Sequence, residues 1–404
     1  TLLVVCLILF TVLLGRMVYL QLWRGDYYAK QSDGNRLRQS RILAPRGIIY
    51  DSEGKELVNN LPGYAVVLQK QSSYKPETLQ RLSNLLQMPV EEINAKIKAS
   101  ENFYEPIMLK NNLDQQMVTK IEEQRRYMPE VMLSVQPIRN YPYHELAVHA
   151  LGYVGEVSSY EIEQGLFKNI TQGSLVGKAG LEKTYDKYLR GEDGAFMEEV
   201  DVAGNVVKHY DSVQPVPGKN LKLTLDYKLQ KELEEFTDKH LAYLRNSGIA
   251  PGARAAAVIA IDPRNGAVRA MVSRPGYDPN WFVHGISSKN WNSINNDPNY
   301  PMNNKVITGE YPPGSTFKIV STYAPALNEK GMSLATTFED EPYEYPDGSP
   351  VNNATRSYNG TTTIRTAIQN SINVVAVKCL EKVTPELGLK YLDNFGFTTL
   401  AHGT

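Results

Sequence analysis

Tyr311-Pro312-Pro313-Gly314-Ser315-Thr316-Phe317-Lys318 is the stretch whose reading decides how this chain is understood. Two prolines and a glycine hold the backbone out of helix. Ser315 then opens an amphipathic run, Phe317-Lys318-Ile319-Val320-Ser321-Thr322-Tyr323-Ala324, which reads as a helix start. Residues three apart on a helix share a face, so the spacing predicts Ser315 at a helix N-terminus with the Lys318 amine one turn on. A serine hydroxyl becomes a nucleophile only with an adjacent base and with donors for the oxyanion its attack creates. Lysine can be that base where burial or a nearby cation keeps it neutral. The alternative is an ordinary helix cap. The same spacing recurs at Ser52/Lys55, inside the turn Asp51-Ser52-Glu53-Gly54-Lys55, and at Ser72/Lys75, which runs into Pro76. Ser315 differs in its breaker-then-helix context.

Downstream, Ile364, Ala367 and Ile368 lead into Ser371-Ile372-Asn373 and then the apolar run Val374-Val375-Ala376-Val377. A serine and an asparagine two apart between helices can present a hydroxyl and an amide side by side at a cleft. The tripeptide alone is weak, because it recurs at Ser288-Lys289-Asn290, Ser293-Ile294-Asn295 and Ser357-Tyr358-Asn359. Only Ser371 stands between two helical runs beyond the candidate nucleophile.

Working back from Ser315, residues 276–311 read as one long loop, which in a compact domain is usually functional or disordered. Before it, Ala257–Asp262 and Ala267–Val272 flank Pro263-Arg264-Asn265-Gly266, a hairpin signal, and Asp226 caps a helix with Leu229, Leu233, Phe236 and Leu244 on its apolar side. Gln214-Pro215-Val216-Pro217-Gly218-Lys219 reads as a linker stiffened by two prolines. Upstream of it the texture is extended: a hairpin through Ile42–Tyr50 and Glu56–Val58, a strand over 64–69, and helical spacing over 76–99 and 113–125 that suggests a small helical insert. Gly177-Lys178-Ala179-Gly180-Leu181-Glu182 lacks the Walker spacing and reads as a tight turn capping a helix. His144 and His149 fit no two-ligand metal pattern and read as surface or packing residues.

The first fourteen residues, Thr1 to Leu14, are uncharged and almost wholly apolar. They fall short of the ~20 that span a bilayer. They fit the distal part of an uncleaved anchor or a signal core, with the anchor favoured because Val18-Tyr19-Leu20-Gln21-Leu22-Trp23 continues as amphipathic helix without a small-residue cleavage site. Arg16, Arg24, Lys30, Arg36, Arg38 and Arg41 follow the span and by the positive-inside rule would face the cytoplasm. A start at Thr1 rather than methionine suggests a piece of a longer chain. The whole has 404 residues, enough for two or three domains, and a formal net charge of -1, so no global field points to nucleic acid. Two cysteines, Cys6 and Cys379, make no framework.

Taken together these segments resemble the class B penicillin-binding proteins, of the penicillin-binding protein 2 type. The resemblance rests on the apolar anchor with Leu20-Gln21-Leu22, Ala44-Pro45-Arg46-Gly47-Ile48-Ile49-Tyr50-Asp51, Leu151-Gly152-Tyr153-Val154-Gly155 and Gly177-Lys178-Ala179-Gly180-Leu181-Glu182. It continues through Ser273-Arg274-Pro275-Gly276-Tyr277-Asp278-Pro279-Asn280, the Ser315 stretch and Ser371-Ile372-Asn373. It implies an α+β chain: a partial membrane anchor over 1–22, a β-rich pedestal or dimerisation domain over 23–215 with a helical insert at about 76–130, and over 220–404 the first part of a transpeptidase domain of antiparallel sheet between helices. It places the body on the outer side of the cytoplasmic membrane, against the charge count.

The resemblance further implies a peptidoglycan D,D-transpeptidase that cross-links stem peptides through an acyl-enzyme and is blocked by beta-lactams. Ser315 would be the nucleophile and Lys318 the base, Ser371 would relay a proton to the leaving amine, and Asn373 would hold Lys318 and the substrate amide. A glycosyltransferase and other cell-wall proteins are implied as partners, and no cofactor. Some relatives carry a metal near the Ser-x-Asn segment with a cysteine ligand, but residue 372 is isoleucine and no cysteine lies between Lys318 and Ser371, so no metal is expected. The alternative with the same fold is a non-catalytic scaffold or beta-lactam sensor. Two departures stand out. The family's Lys-Thr-Gly or Lys-Ser-Gly strand does not appear by Thr404, so the 404-residue piece by itself is expected to be inactive. Asn304-Lys305 stands where the family shows Asn-Arg, which bears on loop packing.

Overall fold

The computed structural model describes residues 2–20, 37–69, 73–99, 106–167, 170, 173–200, 206–283 and 285–397. The expectations for Gln21–Trp23, Arg24, Lys30, Arg36 and Ser72 lie outside the described residues. The chain forms two compact units, residues 1–309 and 310–404.

In the first unit the 13-residue strand Glu56–Leu68 is the axis. The Asp51 carboxylate accepts from the Glu53 and Lys55 N–H groups, each at 2.8 Å, and closes the turn that sets Ile49–Tyr50 against the start of this strand. Further along, Ile107–Leu113 and Val131–Asn140 pair antiparallel with it on its two sides. The insert expected at about 76–130 carries, among the described residues, the helices Pro76–Leu86, Val90–Ala99 and Gln115–Gln124, a 3-10 turn Arg125–Tyr127 and the strand Ile107–Leu113, which the helical spacing over 76–99 and 113–125 did not foresee. Pro89 splits the first two, since proline cannot continue a helix. Leu82, Leu86, Ile93 and Ile121 from the helices bury against Val66, Leu68 and Leu109. A three-stranded sheet, Leu37–Ile42 with Gly194–Val200 and Val206–Val213, stands apart from this core.

Segments 44–51 and 177–182 meet in a buried charge cluster. Glu182 is fully buried and accepts from Arg139 Nε at 2.7 Å and from Arg46 Nε at 2.9 Å, while Arg46 Nη1 reaches Asp186 at 2.9 Å. Such a group is tolerable inside only because its lone pairs are met by guanidinium forks. The 177–182 segment therefore does more than cap a short helix. Residues 214–219 are docked and do not act as a spacer: Gly218 N donates to Pro45 O at 3.0 Å and Lys219 N to Tyr188 O at 2.7 Å.

The helix Tyr227–Asn246 is capped by Asp226, as its sequence predicts, and Gln230 clasps the Met271 backbone through both amide atoms. Strands Ala256–Asp262 and Ala267–Arg274 form the expected hairpin, with Gly266 at φ +72° in its turn. The loop 276–311 is not featureless; it carries the short helices Asn280–Val283, Ser288–Asn295 and Lys305–Thr308. Helix Leu2–Val18 is apolar, and among the described residues no helix is long and apolar enough to cross a membrane.

The second unit mixes helices with two small antiparallel strand pairs, one nested between the strands of the other. Strand Thr337–Asp340 pairs with Gly360–Thr363, and Tyr343–Glu344 with Pro350–Val351. Helices Ile364–Gln369, Asn373–Val383 and Pro385–Asn394 follow. Tyr323, Ile364, Ala367, Ile372, Val375 and Cys379 make its core.

Candidate active site

Ser315 does not open a regular α-helix. Gly314, at φ +57°, turns the chain into a short 3-10 turn over Gly314–Thr316, and after Phe317 and Lys318 the helix widens into a π segment, Ile319–Tyr323. Pro325 accounts for the widening. It has no N–H to return to the Ser321 carbonyl and its ring would crowd that oxygen, so the Ala324 N–H closes the wider ring to Ile319 O. The Ser321 hydroxyl bonds back to Phe317 O at 2.9 Å.

The second segment is placed by a helix ending. The Ser371 N–H donates to Ile368 O at 3.2 Å and the Ile372 N–H to Ala367 O at 3.0 Å, a Schellman closure of helix Ile364–Gln369. Its left-handed position, normally glycine, is Ser371 at φ +55°. Residues held in such conformations cost on the order of 1 kcal/mol and cluster where side chains have work to do. Helix Asn373–Val383 starts two residues later, which aims the Ser371 and Asn373 side chains together.

Lys318 joins the two segments. Its Nζ donates to Ser371 O at 2.9 Å, to Ser371 Oγ at 3.3 Å and to Asn373 Oδ1 at 2.5 Å. The Asn373 amide is turned toward it because Asn373 Nδ2 donates to Asn352 O at 2.7 Å. Ser315, Lys318 and Ser371 line one cleft of about 240 Å³, whose apolar wall includes Ile319 and Ile368. Half-burial there holds the Lys318 amine below its ordinary value, the direction a base requires. The Ser315 hydroxyl is exposed and makes no hydrogen bond to another described residue; it shares the cleft with Lys318 without a direct bond to it.

All four residues singled out in the sequence lie within one unit, three of them on one cleft and Asn373 bonded to Lys318. Sequence reasoning missed Asn352, Asn353 and Asp340, which hold this segment from a hairpin 20 or more residues upstream. The only trace of them is the Asn352-Asn353 pair that ends the Pro350–Val351 strand.

The chain matches the model of the penicillin-binding protein dimerisation domain over residues 41–223 and that of the penicillin-binding protein transpeptidase domain over 256–402. It is 33% identical over 352 residues to the peptidoglycan D,D-transpeptidase MrdA of Acinetobacter baumannii, covering 86% of this chain and 49% of that protein. To MrdA of Escherichia coli K12 it is 34% identical over 319 residues, covering 77% of this chain and 48% of the relative. The chain therefore spans about half the length of the curated relatives it matches. Among solved structures it resembles PBP2 of Helicobacter pylori in complex with MreC, with TM-score 0.73 at 24% identity, covering 89% of this chain and 65% of the other. A peptidoglycan synthase complex that couples polymerisation and crosslinking gives TM-score 0.65 at 29% identity, covering 98% and 67%. On these matches, the chain belongs to the penicillin-binding proteins that join a dimerisation domain to a transpeptidase domain.

Proposed function

We propose that the protein is a peptidoglycan D,D-transpeptidase, with Ser315 as nucleophile. The observation that carries this reading is the Lys318 Nζ gathered onto Ser371 and Asn373 beside Ser315. In the forward step Ser315 Oγ attacks the carbonyl before the terminal D-alanine of a stem peptide. Its proton passes to neutral Lys318 Nζ, and as the C–N bond breaks Ser371 Oγ hands a proton to the leaving amine and takes one back from the Lys318 ammonium. The backbone N–H of Ser315, in the first turn of its helical segment, donates to the oxyanion. An amine of a neighbouring strand then attacks the ester carbonyl, and as the C–O bond to Ser315 breaks the proton it gives up returns through Ser371 and Lys318 to Ser315 Oγ. Asn373 keeps Lys318 in register and meets the substrate amide. Beta-lactams would acylate the same hydroxyl.

The apolar helix Leu2–Val18 serves in this reading as part of a membrane anchor, with the body outside the cytoplasmic membrane, a pedestal up to about residue 215 and the transpeptidase domain from about 220. A glycosyltransferase and other cell-wall synthesis proteins are the partners proposed, supported by the assemblies in which the structural relatives were solved. The test is fluorescent penicillin labelling of the whole protein. The parent should label covalently and Ser315→Ala should not; a variant that labels as strongly as the parent removes Ser315 from the mechanism. Cross-linking turnover separates a transpeptidase from a sensor, which would acylate and build nothing.

A further inference from the structure

Helix Asn373–Val383 begins directly after Ile372, whose side chain cannot cap it, so the first N–H groups need partners from elsewhere. Asn353 supplies them. Its Oδ1 accepts from the Asn373 N–H at 3.0 Å and from the Val374 N–H at 3.2 Å. Its Nδ2 donates to Asp340 Oδ1 at 2.7 Å and to Ser357 O at 3.0 Å, so both ends of the amide are used and it has one orientation. The second Asp340 oxygen accepts from Asn359 N at 2.9 Å and from Asn359 Nδ2 at 2.7 Å. Asp340 is 1% and Asn353 5% exposed, and neither lines the cleft.

The consequence falls on Asn373. Residue 353 holds its backbone and the carbonyl of residue 352 holds its side chain, so the bond from Lys318 to Asn373 Oδ1 depends on a pair of neighbouring asparagines. Ser371, two residues before, sits at a positive φ that a free loop would relax.

Resting on the transpeptidase reading, we infer that Asn353, oriented by the buried Asp340 carboxylate, is a positioning residue for the reaction: it fixes the start of helix Asn373–Val383 and through it the placement of Ser371 and Asn373 against Lys318. It touches no substrate. Its loss should slow the chemical step and spare the binding that precedes it.

The test separates non-covalent binding from the acylation rate constant for a fluorescent penicillin, using the whole protein. In Asn353→Ala the rate constant should fall about a hundredfold, the scale of a misplacement near 1 Å, with the binding constant little changed. Asp340→Asn turns two amide donors on each other and should lose a similar factor. The swap Asp340→Asn with Asn353→Asp restores the bond between the two side chains and the acceptor for the helix, sacrificing only the donor to Ser357 O. It should recover about tenfold over the single Asp340→Asn change. Melting curves run alongside; if Asn353→Ala does not fold, Asp340→Asn and the swap carry the comparison. Acylation at the parent's rate in Asn353→Ala, or a swap no better than Asp340→Asn, overturns the inference. Ser315→Ala keeps the two readings apart. If it is silent while Asn353→Ala reacts normally, the transpeptidase reading stands and the positioning role falls; labelling of Ser315→Ala brings down the transpeptidase reading itself.

Discussion

Lys318 Nζ and Ser371, 53 residues apart in the chain, are joined twice, through the Ser371 carbonyl at 2.9 Å and its hydroxyl at 3.3 Å. The amine is thus placed by a helix that ends in strain, and the hydroxyl it meets occupies a position where glycine would be more comfortable.

That conflict predicts a split between stability and activity. Ser371→Gly removes the Cβ from a left-handed position and should stabilise the second unit by up to about 1 kcal/mol. The same change deletes the proposed proton relay, and penicillin acylation should fall by about 10²-fold or more. Melting and labelling measured on one preparation decide it; a glycine variant that is less stable than the parent, or fully active, contradicts the account.

Lys318 titration sets the second expectation. Half-burial holds the amine below the ordinary lysine value, and in the proposed mechanism only the neutral amine can take the Ser315 proton. Acylation should therefore rise with pH along a limb centred below the ordinary lysine range. Lys318→Arg, which stays charged, should be inactive at every pH. A flat profile in the parent would place the base elsewhere.

The π segment is tested at Gly388. A methyl there would lie 2.7 Å from the Ser321 carbonyl oxygen, the group that Pro325 leaves without its helical donor. Both partners are backbone, so the helix must shift; Gly388→Ala should cost about 1–3 kcal/mol. Because Lys318 precedes this segment directly, labelling should slow as well. Unchanged melting would show that helix Pro385–Asn394 can yield.

Glu182 carries the fourth prediction. Burial alone would raise its carboxyl, but Arg139 and Arg46 together hold it below the ordinary carboxylate value. A depressed folded value means stability present above the unfolded carboxylate's titration and lost as pH falls through the folded one. The first unit should accordingly weaken on the acid side of about pH 4, the ordinary carboxylate range. Glu182→Gln should cost about 3–5 kcal/mol at neutral pH by leaving two guanidiniums short of charge, and its melting point should depend less on acid than the parent's.

Local chemistry explains what was legible in advance. Asp226 as a cap, Gly266 in a hairpin turn, and the break before Ser315 are decided by a few neighbouring residues, and the structure follows them. The strand Ile107–Leu113 was not legible, since its polar Lys110-Asn111-Asn112 carries no clear alternation and only pairing with Glu56–Leu68 makes it extended. The π segment was hidden too: Ile319–Tyr323 has ordinary helical spacing, and the widening comes from Pro325, beyond the motif. Asn353 could not be read as a cap, because caps are sought next to the helix they serve and this one lies 20 residues upstream.

The order of residues by itself picked out the candidates for the proposed chemistry, Ser315, Lys318, Ser371 and Asn373, since spacing and helix breaks are local properties. Tertiary structure alone decided that Lys318 reaches Ser371 and Asn373 rather than Ser315, and that an amide from a distant hairpin holds them there. Those placements depend on which buried donors find which acceptors across the fold, a sum that neighbouring residues do not contain.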